Sequence, residues 1–490
     1  MMGKNKSTQL KLFYQRINLG KRIRKNHILR AVDQNVDFDF IYKEVEHFYG
    51  TNGNVSVPPP VILKLMFLLI FYNVRSEREL METLPERLDW LWFLNYDLDD
   101  EIPNHSVLSK ARNRWGVEVF RCFFERILMQ CIRTGLVDGN KIFMDSSFVQ
   151  ADASNNSVIN QEKLTRYLKK GFREFEKRLE ESEVNPQEIK SGVQNTKHIS
   201  MTDPDASVSR MGGGRSRLQY KTHRAVDEKN EIITATDVTT GSTNEAHLLL
   251  DLVKQHETIT GEKVETVVAD SKYGTIDNYL ACHDEKIKAH MESVDYKQGR
   301  SGTKKGIFPP ETFKYDSEND VFICPAGEEL KKRTFHKSRN HTEYAAKAKL
   351  CNQCELKSQC TRSKSGRTVN RHARQIELDK MLVQAASKES QRDIKKRQHL
   401  MERSFARSTR YGYKRARWRR LWRVQIQEYL TSAIQNIMAL IRNGNKSKAK
   451  YVSKYHNTGI STVKTNKILL FIRYFQKRME NIYSLSNIAQ

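Results

Sequence analysis

Apolar residues recur at helical spacing through the first quarter of the chain. Between residues 58 and 134 they fall three or four positions apart, which is the period of one helix face. The clearest series is Ile62, Leu65, Met66 and Leu69. Because no alternation of apolar and polar residues interrupts this pattern, we predict an all-helical N-terminal domain, residues 1–135.

The period changes from helical to strand-like after residue 140. Predicted strands cover residues 141–145, 218–226, 231–238, 264–270 and 286–291. Residues 227–230 form a predicted turn, and a helix is expected at 246–255. A charged segment at 161–181 is predicted as a surface helix, and the glycines at 212–214 as a loop. Strands that alternate with helices indicate a mixed α/β sheet.

The alternation of strands and helices stops between residues 292 and 392, where four cysteines lie, and we interpret this segment as an insertion. A long helical pattern returns from 390 to about 441, with an apolar stripe from Ile426 to Ile441 that would pack on the core. A last helix is expected at 464–477. The predicted units are residues 1–135, 136–291 with 393–442, 292–392 and a basic tail at 443–490.

Charge and hydropathy narrow the choice of partners. The 490 residues include 84 Lys and Arg against 58 Asp and Glu, a formal net charge of +26 at pH 7. A positive field of this size suits a polyanion such as DNA or RNA. The most apolar run, residues 61–72, contains Lys64 and is shorter than the roughly 20 apolar residues of a membrane span. With no apolar secretory segment at the N-terminus, we expect a cytoplasmic, nucleoid-associated protein.

One N-terminal segment, residues 102–115, has the composition of a DNA-contacting helix. Asn104 or Ser106 offers an N-cap for it. The positions predicted to be exposed are Ser109, Lys110, Arg112 and Arg114. We predict DNA contacts from Lys110 and Arg112; the alternative is a solvated basic face.

Three acidic residues stand where packed elements would direct them to a common point. Asp145 and Asp270 each end a predicted apolar strand, where a carboxylate is costly unless it coordinates a ligand. Glu402 is the only acid among twelve Lys and Arg between residues 394 and 423. Such carboxylates can hold two Mg²⁺ or Mn²⁺ ions about 4 Å apart, an arrangement that cleaves phosphodiesters. Each acid alone has an ordinary alternative as a cap or an ion-pair partner.

Four of the seven cysteines are candidates for a structural zinc site: Cys324, Cys351, Cys354 and Cys360. The Cys-x-x-Cys step is the informative part, and His336 or His341 would be able to replace one thiolate. The alternative is a set of buried free thiols. The remaining residues, Cys122, Cys131 and Cys282, are predicted to lie in the core.

Short motifs surround the three acids, at residues 142–154, 220–227, 268–274, 402–406 and 411–420, with 102–106 in the helical segment before them. Together they resemble the DDE transposases of bacterial insertion sequences, over about residues 15–442. The resemblance implies an RNase H-like α/β fold. Asp145 would lie on the first strand, Asp270 after the fourth and Glu402 on a late helix.

The resemblance also implies an activity, metal-dependent cleavage at transposon ends followed by attack of the freed 3′-OH on target DNA. Asp145, Asp270 and Glu402 would be the catalytic and metal-ligating residues, in a homodimer or larger assembly on DNA. The cations expected to hold the DNA backbone are Arg403, Arg407, Arg410, Lys414, Arg415 and Arg417.

One position departs from the family pattern. Relatives carry Lys seven residues after the glutamate, whereas this chain has Thr409, so Arg407 or Arg410 would have to substitute. Two alternatives to an active transposase therefore stay open. One is a decayed copy that binds DNA as a repressor, and the other is a metal-dependent nuclease that cuts without joining.

Overall fold

The computed structural model describes residues 2, 18–50, 54–160, 198–210, 215–293 and 307–455. The chain divides into two compact units, residues 1–441 and 442–490, and the contacts discussed below belong to the first. Three predicted features lie outside the described residues: the surface helix at 161–181, the glycine loop at 212–214 and the helix at 464–477.

The N-terminal region is helical, as predicted. Its helices are α1 Leu19–Arg22, α2 Ile28–Asn35, α3 Ile41–Val45, α4 Pro59–Phe71, α5 Glu77–Thr83, α6 Leu88–Leu94 and α7 Ser106–Arg133. Helix α4 is buried along almost its whole length, including Lys64, whose ammonium group donates to the Phe93 carbonyl at 2.8 Å and contacts Asp33 at 3.0 Å. The most apolar run is therefore a core helix. None of the described helices combines the length and apolar character that a membrane crossing requires.

Helix α7 bends at Gly116. The φ angle of 66° there lies in the left-handed region, which glycine adopts without strain. Before the bend, Lys110 is exposed; after it, Phe120 and Phe123 are fully buried. The segment predicted to contact DNA is thus a short helix distinct from the core helix that follows it.

Eight strands follow: β1 Lys141–Gln150, β2 Val158–Asn160, β3 His198–Ser200, β4 Ser207–Ser209, β5 Arg217–Asp227, β6 Ile233–Thr240, β7 Thr266–Val268 and β8 Lys288–His290. Six of them form the main sheet in the order β4–β5–β1–β7–β8, with β6 also paired to β5. Strand β5 is antiparallel to β1 and β6, while β7 and β8 run parallel to β1. The predicted mixed sheet is confirmed.

Helices cover both faces of this sheet. The helices that follow β6 in the chain are α8 Leu249–Thr260, α9 Ile276–Asp284, α10 Ala348–Gln353, α11 Lys357–Cys360, α12 Gln375–Ala385, α13 Lys388–Thr409 and α14 Leu421–Tyr455. Of these, α10 and α11 do not lie on this sheet. On one face, Ile142 and Met144 of β1 pack with α8, α9 and α12. The alternate residues Lys141 and Asp145 point to α13 on the other face.

The segment predicted as an insertion contains a second, antiparallel sheet. Its strands lie in sequence order: β9 Lys314–Asp316, β10 Val321–Ile323, β11 Glu329–His336, β12 His341–Ala345 and β13 Thr368–His372. A separate small core includes Phe313, Phe322 and Leu330. Helix α12 falls within the predicted segment, yet Leu378 and Met381 pack into the main core. The separately packed part therefore ends before α12.

The long helical pattern from 390 to 441 is two helices, α13 and α14, separated by a turn. Gly412, with a φ of 75°, lies in the turn between α13 and α14. The Gln150 N–H donates to the Lys414 carbonyl at 2.9 Å, and the Ala416 N–H donates to the Gln150 carbonyl at 2.7 Å. The chain between the helices is therefore attached to the end of β1.

A buried ion pair joins β5 to both late helices. The Arg224 guanidinium donates to the two Glu428 oxygens at 2.6 and 2.9 Å and to Ser408 Oγ at 2.7 Å. Side-chain exposure is 0% for Arg224 and 1% for Glu428. Thr236 and Ser432 donate to the same carboxylate, each at 2.8 Å. The charges are thus fully paired within the protein, as burial requires.

We predict that Arg224→Met or Glu428→Leu alone destabilises the protein by about 3–5 kcal/mol, because each leaves one buried charge without its partner. The double variant should recover much of this loss, which urea unfolding would measure. Lys263→Gln, which removes a solvent-exposed pair with Glu257, is the control and should unfold like the wild type. Additive losses in the double variant would contradict the coupling of Arg224 and Glu428.

Candidate active site

Strand register brings Asp145 and Asp270 together. Strand β7 runs parallel to β1 with Val268 opposite Phe143. Each aspartate follows two residues later, so side-chain alternation directs both to the same face. Asp270 lies just beyond the end of β7, whereas Asp145 lies midway along β1, which continues to Gln150 and does not end at residue 145 as predicted. The two carboxylates interact electrostatically. Two of the three predicted acids therefore lie together.

Asp145 is a partly buried carboxylate with one cationic partner. Arg397 on α13 donates from Nη1 to Asp145 Oδ2 at 2.7 Å, and the Ser146 N–H donates to Oδ1 at 2.8 Å. Burial raises the pKa of Asp145; Arg397 opposes this shift, and the nearby charge of Asp270 adds to it. A cation close to the Asp145 carboxylate therefore stabilises its ionised form. Sequence reasoning missed Arg397, because nothing local distinguishes it from the other cations of its helix.

Asp270 begins a short turn, and its Oδ1 accepts the Lys272 N–H at 2.8 Å. The Lys272 ammonium group lies 2.7 Å from Glu245, a buried acid that also pairs with Lys221 at 2.5 Å. Burial acts against ionisation, but the hydrogen bonds from both lysines hold the pKa of Glu245 below its usual range. Both Glu245 oxygens are paired with lysines, so we interpret Glu245 as an ionised residue that supports the site and not as a metal ligand.

The Tyr273 hydroxyl is a buried polar group beside these acids. Its side chain is fully buried, and no hydrogen-bond partner for Oη occurs among the described residues. Burial raises its pKa, and the charges of Asp145, Glu245 and Asp270 raise it further. An unpartnered hydroxyl is costly to bury, so this position favours a polar ligand near the two aspartates.

Glu402 lies on α13, five residues after Arg397. Its side chain is exposed, and within the described part of the chain its hydrogen-bond partner is Gln398, at 3.4 Å. The helix that carries it covers the two aspartates, but the carboxylate itself makes no hydrogen bond with them. Its place in a common site with Asp145 and Asp270 stays a prediction.

A second cluster of ligand-type side chains lies on the same face. His290, Glu389 and Asp393 form the one set of three in the described ranges whose ligand atoms all lie within 4.8 Å of one another. Asp393 Oδ2 is 2.7 Å from His290 Nδ1 and 3.0 Å from the Lys141 ammonium group. Because Lys141 already supplies a positive charge, the cluster serves as an ionic tie between α13 and strands β1 and β8.

The predicted DNA-binding cations differ in what they contact. Lys110, Arg410 and Lys414 are exposed, with no side-chain partner in the described part of the structure. The surface pairs are Arg403 and Arg407 with Glu231, at 2.6 and 2.7 Å, and Arg415 with Asp152, at 2.9 Å. Thr409, at the family's lysine position, donates to the Ala406 carbonyl within its own helix.

Two of these cations make contacts within the protein, and the predicted exposure of Arg112 is wrong. Arg112, expected to be exposed, is buried, pairs with Glu77 at 2.5 Å and lies 4.0 Å from the Trp418 ring centroid. Burial lowers the pKa of Arg112 to about 10, and Glu77 opposes that shift. Arg417 donates to the Asn73 side chain and the Val74 carbonyl. Both guanidinium groups connect the N-terminal helices to the segment before α14.

The four predicted zinc ligands line one pocket in the second sheet. Cys324, Cys351, Cys354 and Cys360 are partly buried free thiols around the apolar side chains of that pocket. The Glu328 N–H donates to Cys324 Sγ at 3.3 Å. The other three cysteines are buried, as predicted. His336 and His341 do not line the pocket, so the structure favours four thiols over a mixed set.

Two segments of the chain match family models of transposases. Residues 17–114 match a family model described as transposase domain (DUF772), and residues 323–441 match one described as transposase DDE domain. The two matches support an insertion-sequence transposase of the DDE type, which confirms the resemblance seen in the sequence. The second range includes Glu402, whereas Asp145 and Asp270 lie between the ranges. No curated protein and no solved structure matches the chain.

We predict that Arg112→Ala lowers stability by about 2 kcal/mol, because it leaves Glu77 without its buried partner. Lys110→Ala should leave the melting temperature unchanged and weaken binding to DNA. Thermal unfolding and a duplex-binding titration would separate the two effects. Wild-type stability for Arg112→Ala would contradict the structural role given to this side chain.

Proposed function

We propose that this chain is an active DNA transposase that cleaves at transposon ends and joins the freed 3′-OH to target DNA. Asp145, Asp270 and Glu402 would form its metal-binding site. The observation that carries the proposal is the parallel register of β1 and β7, which sets two carboxylates side by side beneath the helix that bears Glu402.

The sheet order supports an RNase H-like catalytic domain. Strand β1 is central, with antiparallel β5 and β6 on one side and parallel β7 and β8 on the other. The first acid lies on β1, the second follows β7, and the glutamate helix comes after the second sheet. This is the placement that the resemblance implies.

The residues beside β1 and β7 fit divalent metal ions. Carboxylate oxygens are hard ligands that suit Mg²⁺ or Mn²⁺, and two neighbouring acids repel each other unless a cation lies between them. The orphaned Tyr273 hydroxyl offers a further polar contact. Bound as a pair, such ions supply a nucleophile made from water and stabilise the leaving oxygen. Asp145 and Asp270 would hold them, with Glu402 completing the ligand set.

The free cations supply the DNA contacts in this proposal. Arg410 and Lys414 are exposed just beyond the end of α13, where they would position the phosphate backbone, while Lys110 would contact DNA from the N-terminal helix. Arg410 is the better substitute for the family's lysine, because Arg407 is already paired with Glu231.

We predict that Asp145→Asn, Asp270→Asn and Glu402→Gln each reduce Mg²⁺-dependent cleavage of a transposon-end duplex to the no-enzyme level, with DNA binding retained. Each change removes a metal ligand and no phosphate contact. Asp284→Asn, which alters surface contacts with Arg374 and His283, is the control and should cleave normally. Full cleavage by any of the three variants would remove that residue from the site.

The same assay distinguishes an active transposase from the two alternatives, a decayed repressor and a nuclease. Thr409, which replaces the family's lysine, favours the decayed repressor. A decayed repressor would bind the duplex without cutting it. A nuclease would cut without joining, so a product in which the cleaved end is attached to target DNA distinguishes a transposase from both.

We also propose that the cysteine pocket holds structural zinc. Four thiolates suit a tetrahedral zinc site, and these four lie around one pocket, where Cys324, Cys351 and Cys360 pack against the small core of the second sheet. They do not form as tight a group as His290, Glu389 and Asp393, so zinc binding would require their side chains to turn inward.

For this site, elemental analysis of purified protein should give about one zinc per chain, and Cys354→Ser should lose the metal and destabilise the second sheet. Cys282→Ser, which alters a buried thiol of the main core, should keep its zinc. Metal-free wild-type protein with normal stability and activity would exclude structural zinc.

A further inference from the structure

Arg397 occupies a different environment from the other cations of α13. Lys396 pairs with Glu228 and Arg403 with Glu231, beyond the end of β5. Arg397 instead turns to the sheet, with a side-chain exposure of 12%, and donates to Asp145 at 2.7 Å. It is the cation that neutralises the proposed metal ligand.

The ion pair with Asp145 does not engage all the hydrogen-bond donors of Arg397. A guanidinium carries five N–H donors, and the Nε of Arg397 has no partner among the described residues. Within the described part of the chain, Arg397 forms an ion pair with Asp145 alone. Arg397 makes one hydrogen bond to Asp145. Because a guanidinium can bind a phosphate through two donors, Arg397 is suited to exchange this carboxylate for a phosphate.

We propose that Arg397 is an internal competitor for the metal site: it holds Asp145 until a DNA phosphate draws it away, so that divalent ions bind tightly only when DNA is present. The inference rests on the proposed function and adds a regulation to it. In the absence of DNA, ligation of metal by Asp145 Oδ2 requires this ion pair to break. With DNA bound, the same guanidinium gains a second anionic partner and the competition weakens.

Mn²⁺ binding to the full-length protein tests this proposal, measured by electron paramagnetic resonance without and with a non-cleavable duplex. Arg397→Gln should bind Mn²⁺ about tenfold more tightly than wild type without DNA, since a charged hydrogen bond no longer competes. Wild type should gain affinity when the duplex is added, and Arg397→Gln should gain much less. Arg397→Lys should stay near wild type, because it keeps the charge.

Two controls make the result specific. Lys396→Gln, a neighbouring cation paired away from the site, should bind Mn²⁺ like the wild type in both states. Asp145→Asn identifies the signal that belongs to this site, so its loss in that variant shows that Asp145 is a ligand. Unchanged or weaker Mn²⁺ binding in Arg397→Gln, with the Asp145-dependent signal present, would overturn the competition alone. Absence of any Asp145-dependent Mn²⁺ signal, with or without DNA, would overturn the proposed metal site as well.

Discussion

Arg224 and Glu428 carry opposite charges that no water reaches, and the arrangement of the late helices depends on them. The Arg224 guanidinium lies 5.0 Å from the Phe405 ring centroid and 4.9 Å from that of Tyr413. Burying these charges is favourable only when β5, α13 and α14 are all in place to supply partners. A packing of either helix that separated Arg224 from Glu428 would leave an unpaired charge inside the protein, so this ion pair disfavours such packings.

Helix α13 is consequently fixed at both ends by polar contacts. Near its C-terminal end, Ser408 accepts from Arg224; near its N-terminal end, Asp393 binds Lys141 and His290. Arg397 lies between these two anchors, directly over Asp145. The precision of the site thus comes from ionic contacts between regular elements, and not from the loops that connect them.

The sequence predicted the elements better than their mutual contacts. Asp145 and Asp270 are recognisable because each follows an apolar run, but only the parallel register shows that they lie on the same face. Arg112 looked exposed by helical spacing, and its burial depends on Trp418, which is remote in the chain. Arg397 has the same local surroundings as its neighbouring cations. Partners that are distant in sequence leave no local pattern. The Cys-x-x-Cys step is local, and its two thiols line one pocket with Cys324 and Cys360, while zinc binding there stays a prediction.

The buried ion pair can form only late in the synthesis of the chain. Arg224 is separated from Glu428 by 204 residues, and Asp145 from Arg397 by 252. While the chain leaves the ribosome, β1 and β5 emerge long before the helices that carry the partners of Asp145 and Arg224. Contacts between residues so far apart in sequence form slowly. A nascent chain that stops before α14 would contain Arg224 with no carboxylate to face, and its sheet would lack a complete core. A truncated translation product would therefore contain the N-terminal helices without a closed main sheet, so the proposed DNA cutting would require that α14 has been made.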